Sequence, residues 1–414
     1  MESDRGHYLG FIWHASFLAL TMAFVEVNTV LPSMILAAGG GSFAIGLVTA
    51  ISTGIPLLAQ LTFAGYLMSK RMKKPYLLLG IYLRVGALFS IGFLLLSPIG
   101  GIALLVLLFS VISVFSFGGV FAGISYTHLL GQSILKQDRR GFMSYRQIAG
   151  SALSLLGGFV AKYIVGNVSY PVNYSLLFFI GGSSLLFFIG GSSLFVASLG
   201  FAGVREREVQ GSEIPGFWKI MKSIPKTLKD DANLLNYIVF INLTGFGLVL
   251  IPFYVLLAKD SFGLSGSDVG SFLLFQMIGM LGAGVLWNRF LKRRGLKRLL
   301  ITCATIGSSI PLIAYLLSTT SPNFYLIVFF LSGITLSARK IGFEWLLIEI
   351  SSNTNRALYT GVSGALSLVT ALLPLILGSV LRLLGFPVVL VISSIAIASG
   401  MYFIRKIDIT DDLG

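Results

Sequence analysis

Residues 65–74 read Gly-Tyr-Leu-Met-Ser-Lys-Arg-Met-Lys-Lys, and residues 284–293 read Gly-Val-Leu-Trp-Asn-Arg-Phe-Leu-Lys-Arg. Each stretch closes an apolar run with a burst of positive charge. The second begins 219 positions after the first, about half of the 414-residue chain. The chain therefore reads as one membrane-embedded plan used twice and fused end to end.

The composition around these stretches excludes a water-soluble fold. Hydrophobic residues make up 55% of the chain and charged residues 11%, against about 25% charged in a soluble domain. The mean hydropathy is +0.90. Lipid is the solvent for most of this chain. Cys303 is the sole cysteine, and His7, His14 and His128 are scattered, so neither a disulfide nor a zinc motif is encoded. There is no Gly-rich phosphate loop ending in Lys-Ser/Thr and no Gly-x-Ser-x-Gly elbow. Nothing points to an enzyme or to an ATP-driven pump, and no resident cofactor is expected. The net charge of +14 would suit a nucleic-acid binder, but it sits in short runs between apolar segments. That pattern orients a membrane protein, and no nucleic-acid partner is expected.

A membrane-crossing helix needs about 20 mostly apolar residues. Twelve such spans are legible, over 9–36, 44–68, 76–97, 101–130, 142–166, 174–203, 234–258, 268–291, 298–319, 323–350, 357–384 and 386–405. The expected fold is thus an all-α integral membrane protein with twelve transmembrane helices. The first span is too long for a cleavable signal and lacks a small-residue cleavage site, so it reads as a retained helix. Of the 30 lysines and arginines, 24 fall on the side that holds both termini, the central loop, Arg356, and the segments around 70–74, 136–146 and 289–298. The opposite loops, Gly39–Ser42, Pro98–Gly101 and Thr319–Asn323, are nearly uncharged. Both termini are expected in the cytoplasm of a cell whose plasma membrane holds the protein.

The expected domains are an N-terminal six-helix bundle over 1–203, a linker over 204–233 and a C-terminal six-helix bundle over 234–414. Within the linker, Phe217, Trp218, Ile220, Met221, Ile224 and Leu228 fall on one helical face among lysines. They predict an amphipathic helix at the headgroup level, interrupted at Pro225. The sixth span contains Leu-Leu-Phe-Phe-Ile-Gly-Gly-Ser-Ser at 176–184 and again, unchanged, at 185–193. The extra nine residues add about 13.5 Å of helix. They predict an overlong sixth helix that tilts or protrudes.

These features together resemble the major facilitator superfamily over essentially the whole chain. That family's loop between helices 2 and 3 reads Gly-x-Leu-x-Asp-Arg-x-Gly-Arg-Arg/Lys. Here Gly65, Leu67, Lys70, Lys73 and Lys74 match in kind, with Ser69 at the Asp position and Met72 at the second Gly. In the second half Gly284, Leu286, Arg289, Lys292 and Arg293 match, with Asn288 at the Asp position. The missing acid removes the charge lock usually assigned to this gating loop, although a Ser or Asn there can cap a neighbouring helix. Further echoes are Val30-Leu31-Pro32 with Leu250-Ile251-Pro252, and the run at 151–156 with that at 364–369. The resemblance implies two pseudo-symmetric six-helix bundles, a monomer, and a cavity lined by helices 1, 4, 7 and 10.

Charges within the spans are the candidate functional groups, because each costs at least about 2.5–3.5 kcal/mol in hydrocarbon. Glu26, beside Asn28 and Thr29 in span 1, is the candidate for proton coupling, since desolvation favours the proton-bound form of a carboxyl. A structural carboxylate paired with an arginine is the competing reading. His128 is a second proton candidate, with a hydrogen-bonded structural histidine as its alternative. Arg339, Asn28, Asn242 and Tyr126 are candidates to line a substrate cavity. Lys340, Glu344 and Glu349 read as a structural ion-pair cluster, Glu344 lying one turn beyond Lys340. Arg84, in the third span, reads as a brace between helices.

By this reading the chain is a secondary transporter of a small organic solute, working by alternating access, with a proton or sodium ion as coupling ion. Its partners would be that solute and membrane lipid. An exporter or flippase of an amphiphile is the alternative, and a non-transporting sensor on the same fold is a third. Helices 1 and 7 lack the arginine pair that organic-phosphate exchangers of this superfamily use. The Gly-Pro motif of drug antiporters is unmet in span 5, where Gly157-Gly158 lacks the proline.

Overall fold

The computed structural model describes residues 2–69, 72–133, 139–190, 217–351 and 356–408. Every regular element among them is a helix: α1 Glu2–Phe24, α2 Val30–Ala37, α3 Ser42–Ser69, α4 Lys74–Leu96, α5 Gly101–Ser133, α6 Arg139–Asn167, α7 Val172–Gly190, α8 Phe217–Asp230, α9 Ala232–Val249, α10 Ile251–Phe262, α11 Gly266–Arg294, α12 Leu296–Leu317, α13 Pro322–Glu349 and α14 Arg356–Lys406. Nine helices among the described residues are long and apolar enough to cross a membrane, and Phe11–Phe24 and Val172–Ser183 are shorter apolar helices.

Local chemistry explains many of the ends. Asp231 accepts a hydrogen bond from the Leu234 backbone N–H at 3.0 Å and so starts α9. Ser265 and Asp268 form a reciprocal capping box at the start of α11. Gly263, with φ of 62°, ends α10 in the left-handed region. Gly385, with φ of 72°, is the non-helical residue inside α14, at the division expected between 357–384 and 386–405.

Two sequence expectations are corrected. The first span is not one helix over 9–36: it ends at Phe24 and restarts at Val30. The seventh span is likewise divided, at Leu250. Proline explains both, since it has no N–H to donate and its ring collides with the carbonyl four residues back. Pro32 is the third residue of α2 and Pro252 the second of α10. The second correction concerns Pro225, which does not interrupt the linker helix. α8 runs through it from Phe217 to Asp230 and packs against α9 and α14, with Ile224 buried. The proline sits where only one backbone bond, to residue 221, is lost. α7 continues into the second copy of the nine-residue repeat and is described as far as Gly190; the rest of the expected overlong helix lies outside the described residues.

The chain falls into two compact units. The first comprises residues 1–26, 37–39 and 51–214, the second 27–36, 40–50 and 215–414. In the first, α1 packs on α6 and α7, and α4 packs on α5 and α7. Its core around Phe11, Leu77, Ile81, Val85, Tyr126 and Leu129 joins α1, α4 and α5. In the second, α11 packs on α13, while α14 packs on α9 and α12. Its largest core gathers α10 with Tyr325, Phe329, Phe272, Leu377 and Leu381, and includes Leu36 and Ile45. The Phe272 and Phe329 rings stack with centroids 4.4 Å apart. Tyr325 donates its hydroxyl to the Tyr254 carbonyl at 3.0 Å within this core.

Candidate functional site

The division of the first span falls on the most polar residues it has. Residues 25–29 are Val-Glu-Val-Asn-Thr, and three of them are β-branched, which weakens a helix already blocked by Pro32. α2 begins with the Ser33 backbone N–H donating to the Thr29 carbonyl at 3.1 Å. Glu26 and Asn28 are half-buried in the non-helical segment, while Thr29 is fully buried. None of the three is without a partner. A carboxylate, an amide and non-helical backbone thus share one short break. In lipid such a break is tolerated where protein or water serves the freed backbone groups.

In the second unit, Arg339 reaches from α13 to α9, where its Nη1 donates to the Thr244 Oγ1 at 2.7 Å. The same hydroxyl donates onward to the Phe240 carbonyl at 2.7 Å. The guanidinium lies over the Phe343 ring, 4.3 Å from its centroid. Tyr237 donates to the Phe343 carbonyl at 3.4 Å, closing the same corner. Two residues from Thr244 along α9, Asn242 donates to the Ile238 carbonyl at 2.8 Å and accepts from Thr370 of α14 at 2.5 Å. The structure therefore brings Arg339 and the polar face of α9 together and engages Asn242 on both ends of its amide. Thr370, Phe343 and Tyr237 were missed from sequence. Thr370 carried a signal, as a hydroxyl inside the apolar run Leu-Ser-Leu-Val-Thr-Ala-Leu-Leu.

In the first unit, Arg84 lies against helices other than its own. Its Nη2 approaches the Met22 Sδ of α1 at 3.0 Å, and its Cζ lies 4.3 Å from the centroid of Phe115 on α5. Glycines clear its path: a Cβ on Gly118 would stand 3.2 Å from the Arg84 Cγ. Tyr126 is buried, edge-on to Phe11 at 5.4 Å and tilted against His14 at 4.8 Å. It belongs to an aromatic cluster between α1 and α5.

Lys340 and Glu349 are exposed, and the side chain of Glu344 lies outside the described residues, as does that of His128. Of the gating-loop motif, Lys70 is outside the described residues, and nothing is described of the side chains of Gly65, Ser69 and Asn288. Gly284, Asn288 and Arg289 lie within α11, not in a loop. Lys73 is buried at the N-cap of α4, and Gly295 is the N-cap of α12. Neither N-cap residue makes a side-chain cap hydrogen bond. No group of three or more His, Cys, Asp or Glu among the described residues is arranged to hold a metal ion.

Comparison with known proteins agrees with this architecture. Residues 235–410 match the sequence model of the Major Facilitator Superfamily. No curated protein sequence matches the chain. Among solved structures, the chain is similar to the nucleoside transporter NupG, with a TM-score of 0.70 and 13% identity over 97% of this chain and 99% of that one. A bacterial homologue of the iron transporter ferroportin in an inward-facing state gives 0.69 and 16% identity over 98% of each chain. A POT family transporter in complex with a thioalcohol-conjugated peptide gives 0.68 and 10% identity over 98% of this chain and 95% of that one. The C-terminal part of the chain, residues 235–410, thus carries the sequence pattern of the Major Facilitator Superfamily, and over its whole length this multi-pass membrane protein shares the fold of solved transporters.

Proposed function

We propose that the protein moves a small organic solute across the plasma membrane by alternating access, with a proton bound and released at Glu26. The observation that carries this reading is the break in the first span, which leaves Glu26 and Asn28 half-buried in non-helical backbone. Discontinuous helices of this kind supply substrate and ion sites in secondary transporters. The solved structures of similar fold include transporters of nucleosides and of peptides, which fits a polar organic cargo. The distribution of lysine and arginine supports termini in the cytoplasm, and the monomer is the form expected of the family.

The test is transport in proteoliposomes with the membrane-normal pH gradient as the sole driving force. Glu26→Gln should abolish pH-driven accumulation of cargo while sparing exchange of cargo for cargo. Accumulation equal to wild type in Glu26→Gln removes the proton assignment. A gradient of sodium that drives the wild type in place of protons moves the coupling to sodium.

A further inference from the structure

Arg84 is a poorly satisfied buried cation in the first unit. It is 9% exposed, and its Nε, sealed from solvent, has no hydrogen-bond partner. A guanidinium offers five N–H donors in a planar fork. Here the one side-chain acceptor it meets is the thioether sulfur of Met22 at 3.0 Å, and sulfur of that kind accepts weakly. The Phe115 ring offers its face at 4.3 Å, which favours a cation without neutralising it. No carboxylate pairs with Arg84 among the described residues.

A brace between helices looks different. Arg339 in the second unit also stacks on a phenylalanine at 4.3 Å, but its fork is anchored on a hydroxyl that is itself bonded to backbone. Met could fill the volume that Arg84 occupies against Met22 and Phe115 at no electrostatic cost. What a buried, unpaired guanidinium has and Met lacks is the capacity to take a planar anion on two parallel N–H bonds. The contact of its Nη2 with Met22 is only partly buried, whereas Nε is sealed. Gly118 and Gly119 carry no side chain to obstruct it.

We propose that Arg84 is an anion-binding residue, and that the solute it takes is an organic carboxylate. This rests on the transporter reading above and names the chemical class of its cargo. It also changes the role of Arg84 from brace to ligand contact, while Met22 and Phe115 hold the guanidinium in place for the incoming acid.

The experiment uses the full chain in detergent at constant ionic strength. The probes are acetate, lactate, benzoate and succinate, each matched with its neutral amide. Thermal unfolding and calorimetric titration are read for wild type, Arg84→Lys and Arg84→Met. The wild type should be stabilised by at least one acid and not by its amide. Arg84→Lys, which keeps the charge but not the fork, should bind that acid at least about tenfold more weakly. Arg84→Met should lose the response while melting no lower than wild type without ligand, because an unpaired buried charge has been removed. If Arg84→Met fails to fold, Arg84→Lys decides alone. An acid response unchanged in Arg84→Lys overturns the inference, as does a wild type silent toward every acid. If that silence is joined by pH-driven uptake of a neutral solute, the transporter reading stands without it. If uptake is silent as well, both readings fall.

Discussion

Thr244 is a hydroxyl used twice, accepting from Arg339 and donating to the Phe240 carbonyl. Replacing it with valine keeps the shape and removes the acceptor of a charged donor, which costs about 1.5–3 kcal/mol. Thr244→Val should therefore melt below wild type, and a cycle with Arg339→Met should show the two losses to be non-additive. Asp231 is a second residue with two duties. It accepts from the Leu234 backbone N–H at the start of α9 and from the Tyr359 hydroxyl of α14. Asp231→Ala should lower stability by at least the ~0.5–2 kcal/mol of a lost N-cap, and Tyr359→Phe by less. Equal losses in thermal unfolding would mean that the cap contributes nothing.

At the scale of elements, closeness of helix packing is set by paired glycines. A Cβ on Gly333 of α13 would stand 2.1 Å from the Gln276 carbonyl oxygen of α11, and a Cβ on Gly279 of α11 would stand 2.2 Å from the Phe330 carbonyl oxygen. The two helices meet backbone to backbone, as small residues allow in lipid. Neither carbonyl can swing aside as a side-chain tip would. Gly333→Ala should thus cost about 1–3 kcal/mol through overpacking, seen as a lower melting temperature. Gly282→Ala on α11, where the added methyl meets nothing within 4 Å, is the control and should be neutral. A similar approach joins α3 to α14 within the second unit. The backbone at Gly46 lies against Pro374, and Ser42 donates its hydroxyl to the Gly378 carbonyl at 2.8 Å.

At the scale of the whole molecule, the exposed surface is that of a protein in lipid. Ile102 is 81% exposed and Leu383 82%, positions no water-soluble fold would leave to large aliphatic side chains in such number. Orientation is testable because Cys303, the sole cysteine, is buried at 6% exposure and should not react with a maleimide on intact cells. Gly100→Cys, in an uncharged loop where the added side chain meets nothing within 4 Å, should be labelled from outside by a membrane-impermeant maleimide. Asp408→Cys, near the C-terminus, should react only after the cells are opened. The reverse pattern would invert the proposed topology.

Much of the architecture was legible before the structure because membrane folds are dictated by length and apolarity. The repeated basic motifs at 65–74 and 284–293 and the apolar runs between them carry the resemblance to the family. The residues of the candidate site were legible only as types. Glu26 and Asn28 stood out as polar groups in an apolar run, yet the span was read as continuous. The signal was present in Pro32 and, at an offset of 220, in Pro252. A kink and a break cannot be told apart from proline alone, because neighbouring helices determine which backbone groups can be re-satisfied. Arg84 shows the same limit: its position in the third span is a fact of sequence.

What the sequence by itself determined was the solvent of the chain, the helical class and the list of costly charges. These follow from composition and periodicity, which act along the chain. Only the tertiary structure decided which of those charges are partnered. It set Arg339 on Thr244, left Arg84 with a thioether and a ring, and opened the first span at Glu26. Partnering depends on groups brought together from segments 62 to 95 residues apart in the chain, and no local pattern records which of them will meet.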